Sequence, residues 1–200
     1  MSEISAAVVR ELRDKTGAGM MDCKKALAEV GGNLEKAVDY LRTKGLATAA
    51  KRSGRATNEG LVHAYVHPGG RIGVLLEVNC ESDFVARTED FVEMCKDLCL
   101  QIAATNPQCV RREEFPADVL EHERGIFAAQ ARESGKPEAV VEKMIAGRIE
   151  KLYKETVLME MAFVKVPEQT VEEKVKAAIA KLGENITVRR FARFQLGESK

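Results

Sequence analysis

Leu61-Val62-His63-Ala64-Tyr65-Val66-His67-Pro68-Gly69-Gly70-Arg71-Ile72-Gly73-Val74-Leu75-Leu76-Glu77-Val78 decides the fold class. Val62, Ala64 and Val66 alternate with His63, Tyr65 and His67. After His67-Pro68-Gly69-Gly70, a turn by composition, Ile72, Val74, Leu76 and Val78 alternate again. Period-two patterning on both sides of a turn is a β-hairpin with one buried face. A hairpin alone is marginal in water, so a third strand is required. Ile186, Val188 and Phe194, following Gly183, supply it.

Upstream, the period changes to that of helices. Ile4, Val8 and Leu12 form one stripe, which stops near Thr16-Gly17-Ala18-Gly19. Met20, Cys23, Leu27 and Val30 form a second, ended by Gly31-Gly32. Asn33 caps a third helix with Leu34, Val38 and Leu41, expected to stop before Gly45. Three short helices bury little surface, so this bundle is expected to be marginal alone. Arg42, Lys44, Lys51, Arg52 and Arg55 follow with no acid between Tyr40 and Glu59, which reads as a basic, partly helical linker.

Downstream, Thr88-Glu89-Asp90 starts a helix reaching about Ala104, with Phe91, Cys95, Leu98, Cys99 and Ile102 as its apolar stripe. Further helices are expected over 117–133, from Pro137 to about Glu155, and after Thr170, where Glu173 completes a capping box. The fold class is therefore α+β. A three-helix bundle occupies 1–45, a linker 46–57, and a small antiparallel sheet packed with helices 58–200.

Composition narrows the function. The 200 residues include 31 Lys+Arg and 31 Asp+Glu, and this zero net charge disfavours nonspecific nucleic-acid binding. No run is long and apolar enough to span a bilayer, and Met1-Ser2-Glu3-Ile4 lacks the layout of a signal peptide. A cytoplasmic protein with no membrane partner is expected. The five cysteines read as reduced thiols, and Cys95 and Cys99 as core residues on the helix stripe. A thiol enzyme using either would need a depressed thiol pKa.

The search for catalytic chemistry yields little. Gly17-Ala18-Gly19 lacks the spacing of a phosphate loop. His63 and His67 stand roughly 13 Å apart on a strand, too far for one metal to bridge. No cofactor and no metal are expected, and no nucleophile–base pair supports an enzyme. The rival reading is an RNA- or ribosome-binding helical protein using the basic segment 42–55.

Two segments resist a purely structural reading. In Leu12-Arg13-Asp14-Lys15-Thr16-Gly17-Ala18-Gly19-Met20-Met21-Asp22-Cys23-Lys24-Lys25-Ala26-Leu27, the methionines either fill a small core or form an adaptable contact patch. In Glu77-Val78-Asn79-Cys80-Glu81-Ser82-Asp83-Phe84-Val85-Ala86-Arg87, Phe84 either tucks under the next helix or is presented to a partner. Residues 77–97 carry seven acids against Arg87 and Lys96.

These two segments resemble the two signatures of the elongation factor Ts family. The stretches Ser134-Gly135-Lys136-Pro137, Pro167 to Thr170 and Arg189 to Gly197 are similar as well. Ser82 departs from the family's usual Thr but keeps the hydroxyl. The chain resembles a short form with one core module, where longer members carry two and an inserted coiled coil.

The resemblance implies a guanine-nucleotide exchange factor that binds elongation factor Tu, GDP-bound and nucleotide-free, and promotes GDP release during translation elongation. The bundle is similar to a ubiquitin-associated-type domain, and Arg13, Met20 and Met21 match its docking positions. Ser82, Asp83, Phe84 and Val85 match the nucleotide-release segment, with Phe84 as a wedge and Asp83 reaching toward the partner's magnesium and phosphate site. His67, Gly69 and Gly70 match a second contact. One core module where others have two suggests a homodimer, with Phe127, Val140, Val141, Ile145, Ile149 and Leu152 as candidate apolar surface.

Overall fold

The computed structural model describes residues 4–133, 135 and 137–198. Met1, Ser2 and Glu3, and Ser134 and Lys136 of the 134–137 stretch, lie outside the described residues. In chain order the elements are α1 (Ala6–Thr16), α2 (Met20–Glu29), α3 (Leu34–Arg52), β1 (Glu59–Val66), β2 (Ile72–Cys80), α4 (Asp83–Ala86), α5 (Glu89–Thr105), α6 (Ala117–Arg132), α7 (Glu138–Thr156), β3 (Ala162–Phe163), β4 (Val166–Thr170), α8 (Val171–Leu182) and β5 (Ile186–Gln195). The α+β class holds, with a three-stranded sheet ordered β1-β2-β5 and a two-stranded one pairing β3 with β4.

By contacts, the chain forms two compact units. One comprises Met1–Leu61, Val78–Met94 and Glu173–Thr187; the other Val62–Glu77, Cys95–Glu172 and Val188–Lys200. This division is of a different kind from the 1–45, 46–57 and 58–200 organisation, which concerns what folds and docks separately.

In the first unit, α1, α2 and α3 form the bundle. Ser5 caps α1, and Gly17 closes it in the left-handed region at φ 66°. Asn33 Oδ1 accepts the Lys36 N–H at 2.9 Å to cap α3. Val9, Leu12, Cys23, Ala26, Leu27 and Ala37 make the bundle's own core. Met20 departs from the expected stripe: it is exposed, and Ala26 takes the inward place beside Cys23 and Leu27.

The third helix does not stop at Gly45. It runs to Arg52, because its second half packs on α8: Ala49 is buried, and the Arg52 guanidinium donates to the Ile179 carbonyl. A helical glycine costs about 1 kcal/mol relative to alanine, which such packing offsets.

In the second unit, the His67 N–H donates to the Ile72 carbonyl at 2.9 Å and closes the hairpin. The hairpin has one buried face, but Val62 and Val66 are 59% and 67% exposed, while His63 and Tyr65 are half-buried. The closure explains this. Pairing His67 with Ile72 puts the His67 parity on the side of Val74 and Leu76, and the more apolar second strand decides which side turns inward.

Cys95, Leu98, Cys99 and Ile102 of α5 are fully buried, as their stripe requires. Buried Gln101 donates to the Ala162 carbonyl and accepts the Val164 N–H, so its amide is satisfied.

Helices α6 and α7 form an antiparallel hairpin. Arg132 pairs with Glu138 near its tip, Arg148 stacks on Phe127, and Phe115 meets Tyr153 edge-on near its base. Arg112 grips that base, held by Glu150 and Glu160, with its guanidinium 4.5 Å above the Tyr153 ring. Of the apolar surface expected on these helices, Val141 and Ile149 are buried, Phe127, Ile145 and Leu152 are partly covered, and Val140 is 40% exposed. The larger exposed apolar surface of this unit is instead on the sheet, at Val62, Val66, Leu75 and Phe194.

Candidate functional site

The Asp83–Phe84 turn belongs to the first unit. Leaving β2, the chain reaches Ser82 in an extended conformation, and its Oγ accepts the Val85 N–H at 3.4 Å. That cap starts a single helical turn, α4. Thr88 then bonds in two directions: its hydroxyl donates to the Val85 carbonyl at 2.8 Å and accepts the Phe91 N–H, starting α5. Both ends of the turn are thus fixed by hydroxyls, those of Ser82 and Thr88.

Within this turn Ala86 is buried, Ser82, Asp83 and Val85 are half-buried, and Phe84 is 80% exposed. Of the two readings left open, Phe84 is the presented one. Asp83 pairs with Arg87 at 2.9 Å.

A hydrogen-bonded network lies behind the turn. The Glu184 carboxylate accepts the backbone N–H groups of Glu81 and Ser82, at 3.1 and 3.0 Å, and the Ser82 hydroxyl at 2.6 Å. The Glu81 carboxylate accepts the Asn185 N–H at 2.6 Å and pairs with Arg55. The Asn185 N–H, with help from the Arg55 charge, holds the Glu81 carboxyl below the usual range. Buried Asn185 donates its amide to the Ser53 and Arg55 carbonyls. Apart from Glu81, these partners are far from Ser82 in sequence, so residue spacing carried no signal for them.

The bundle presents a second surface. Arg13, Met20 and Met21 are all exposed around the α1–α2 connection, Met21 at 65%. Beside them Lys44 pairs with Asp22 at 3.0 Å. Exposed methionines flanked by charge suit contact with a protein.

His67, Gly69 and Gly70 belong to the second unit, at the hairpin tip. Gly69 and Gly70 take φ of 94° and 68°, a conformation that favours glycine. His67 Nδ1 lies 3.0 Å from the Tyr65 hydroxyl.

The basic segment is largely engaged within the protein. Arg42 pairs with Glu173, Lys44 with Asp22 and Arg55 with Glu81, and Arg52 donates to the Ile179 carbonyl. The thiols are held away from solvent. All five cysteines are buried, and burial pushes the Cys99 thiol up to about 12 and Cys109 up to about 11, the reverse of what a reactive thiolate needs. Among the described residues, no helix is long and apolar enough to cross a membrane.

Comparison with known proteins fits this arrangement. The family described as Elongation factor TS matches residues 25–198. The elongation factor Ts of Desulforamulus reducens is 59% identical over 198 residues, covering 99% of this chain and 91% of that protein. The elongation factor Ts of Moorella thermoacetica is 60% identical, covering 98% and 96%.

The chain belongs to the elongation factor Ts family.

As a family member it is a translation elongation factor, acting in protein biosynthesis. It spans nearly the whole length of these relatives. The α6–α7 hairpin is a long antiparallel helix pair within the second unit.

Proposed function

We propose that this chain is a cytoplasmic guanine-nucleotide exchange factor that binds elongation factor Tu and promotes release of its GDP. The observation that carries the reading is Phe84, a large aromatic held 80% exposed on a turn braced at both ends. An aromatic that a protein keeps in water on a braced support is suited to insertion into a partner.

The mechanism is differential binding, with no bond made or broken and no cofactor or metal of its own. A factor that prefers the nucleotide-free partner to the GDP-bound one weakens GDP by the same ratio. Burying one Phe side chain is worth ~1.5–3 kcal/mol, or about one to two powers of ten in affinity. Asp83, beside Phe84, adds a carboxylate that competes for the partner's magnesium and phosphate surroundings. Arg13, Met20 and Met21 dock the bundle, and His67, Gly69 and Gly70 make the second contact.

A homodimer joined through the outer sheet face of the second unit completes the proposal. Direct nucleic-acid binding forms no part of it, consistent with zero net charge and an engaged basic segment.

The test is release of labelled GDP from elongation factor Tu, with and without this chain. Acceleration that saturates with chain concentration supports the proposal. An unchanged release rate overturns it.

A further inference from the structure

We infer that Glu184 is the positioning residue for nucleotide release: its carboxylate holds the backbone that aims Phe84. This rests on the reading of Phe84 as the release wedge and adds the group that gives the wedge its direction.

Being 80% exposed, the Phe84 side chain cannot take its direction from packing. Its direction follows from the backbone of its turn. Three donors immediately before Phe84 converge on one carboxylate: the Glu81 N–H at 3.1 Å, the Ser82 N–H at 3.0 Å and the Ser82 hydroxyl at 2.6 Å. Hydrogen bonds to an ionised acceptor are about twice as strong as neutral ones. The Ser82 hydroxyl also accepts the Val85 N–H, so Glu184 orients the very group that caps α4.

Glu184 is fixed from its own side. Gly183, at φ 83°, closes α8, with its N–H on the Ile179 carbonyl at 3.0 Å. Asn185, 4% exposed, is tied by its side chain to the carbonyls of Ser53 and Arg55 and by its N–H to Glu81. The carboxylate therefore sits between two anchored neighbours and accepts hydrogen bonds from residues 81 and 82. Such a group matters to the extent that the aim of Phe84 matters.

The experiment measures labelled-GDP release from elongation factor Tu across a concentration series of the full-length chain. The variants are Glu184→Ala, Glu184→Gln, Phe84→Ala and the double variant Phe84→Ala/Glu184→Ala. Losing a charged acceptor predicts about a tenfold fall in the maximal release rate for Glu184→Ala, with the half-saturating concentration moved less. Glu184→Gln keeps an acceptor oxygen for the two N–H groups and can donate to Ser82 Oγ, so it retains most of the rate. The double variant is no slower than Phe84→Ala alone, since an unaimed wedge and a missing wedge are equivalent.

A maximal rate for Glu184→Ala within about twofold of wild type, or losses that multiply in the double variant, overturns the inference. If Phe84→Ala is fully active, the wedge reading falls and this inference with it. If Phe84→Ala is slow while Glu184→Ala is fast, only the role of Glu184 falls. Should Glu184→Ala fail to fold, Glu184→Asp decides on the same criteria, since it keeps the charge and withdraws it by one methylene.

Discussion

Asp83 Oδ2 and Arg87 Nη2 lie 2.9 Å apart across the single turn of α4, with the arginine 78% exposed. A solvated pair of this kind contributes about 0–1 kcal/mol. The backbone under it is braced by Ser82 and Thr88, so the turn is held while the Asp83 side chain is only parked. Asp83→Asn is expected to slow GDP release severalfold with the fold intact, and Arg87→Ala to stay within about threefold of wild type. Release rates of the two variants check this; a larger loss from Arg87→Ala would make the pair itself the functional unit.

Phe84→Ala is expected to leave the melting temperature within about 2 °C of wild type, because it removes no buried contact. Release should fall by one to two powers of ten, in line with the burial of one Phe in the partner. Unfolding of the variant would mean that Phe84 supports the fold and would end the wedge reading.

Glu81 gives a pH dependence of known sign. The Asn185 N–H and the Arg55 charge lower its folded pKa. A depressed carboxyl contributes stability above its unfolded pKa, about 4.3, and loses it as pH falls through the folded value. Glu81→Gln should therefore be destabilised relative to wild type at pH 7, with the gap narrowing toward pH 3. Urea midpoints at the two pH values measure it, and a gap that widens in acid contradicts it.

The sequence was most legible where a local rule acts alone. Gly17 and Gly31-Gly32 end helices, Asn33 caps one, and the α5 stripe is buried as its period requires. It misled where tertiary packing overrode the local signal. Gly45 did not stop α3 because α8 packs against the extension, and Val62 and Val66 faced outward because the second strand chose the face. At the site, the signatures marked Ser82 to Val85, but Glu184 is 102 residues from Ser82 and reaches it only through folding. No spacing rule could have paired them.

Residues 1–45 are expected to be a separable docking element. Their core cluster, from Ile4 to Leu41, closes on itself. Deleting them should raise the half-saturating concentration for elongation factor Tu while the remainder still unfolds cooperatively. Met21→Asp, a charge on a 65% exposed side chain, should weaken docking without lowering the melting temperature. A truncated chain with no cooperative transition would contradict separability.

The dimer is expected to form through the outer sheet face. Val62, Val66, Leu75 and Phe194 all lie in the second unit and are 59%, 67%, 49% and 65% exposed, on the face opposite buried Val74 and Leu76. The Arg190 side chain pairs with Glu77 at 2.7 Å, so the same sheet also carries a charged patch. An apolar face with polar groups beside it is the composition of an interface, and a two-fold axis lets one such face cover its own copy. No cysteine follows Cys109 and all five are buried, so the association should survive reducing agent. Light scattering at micromolar concentration should give twice the 22.0 kDa chain mass. Val66→Asp and Phe194→Asp should each return it to a monomer by burying an unpaired carboxylate in the interface. A wild-type monomer with full exchange activity would show that one copy suffices and that this face serves something else.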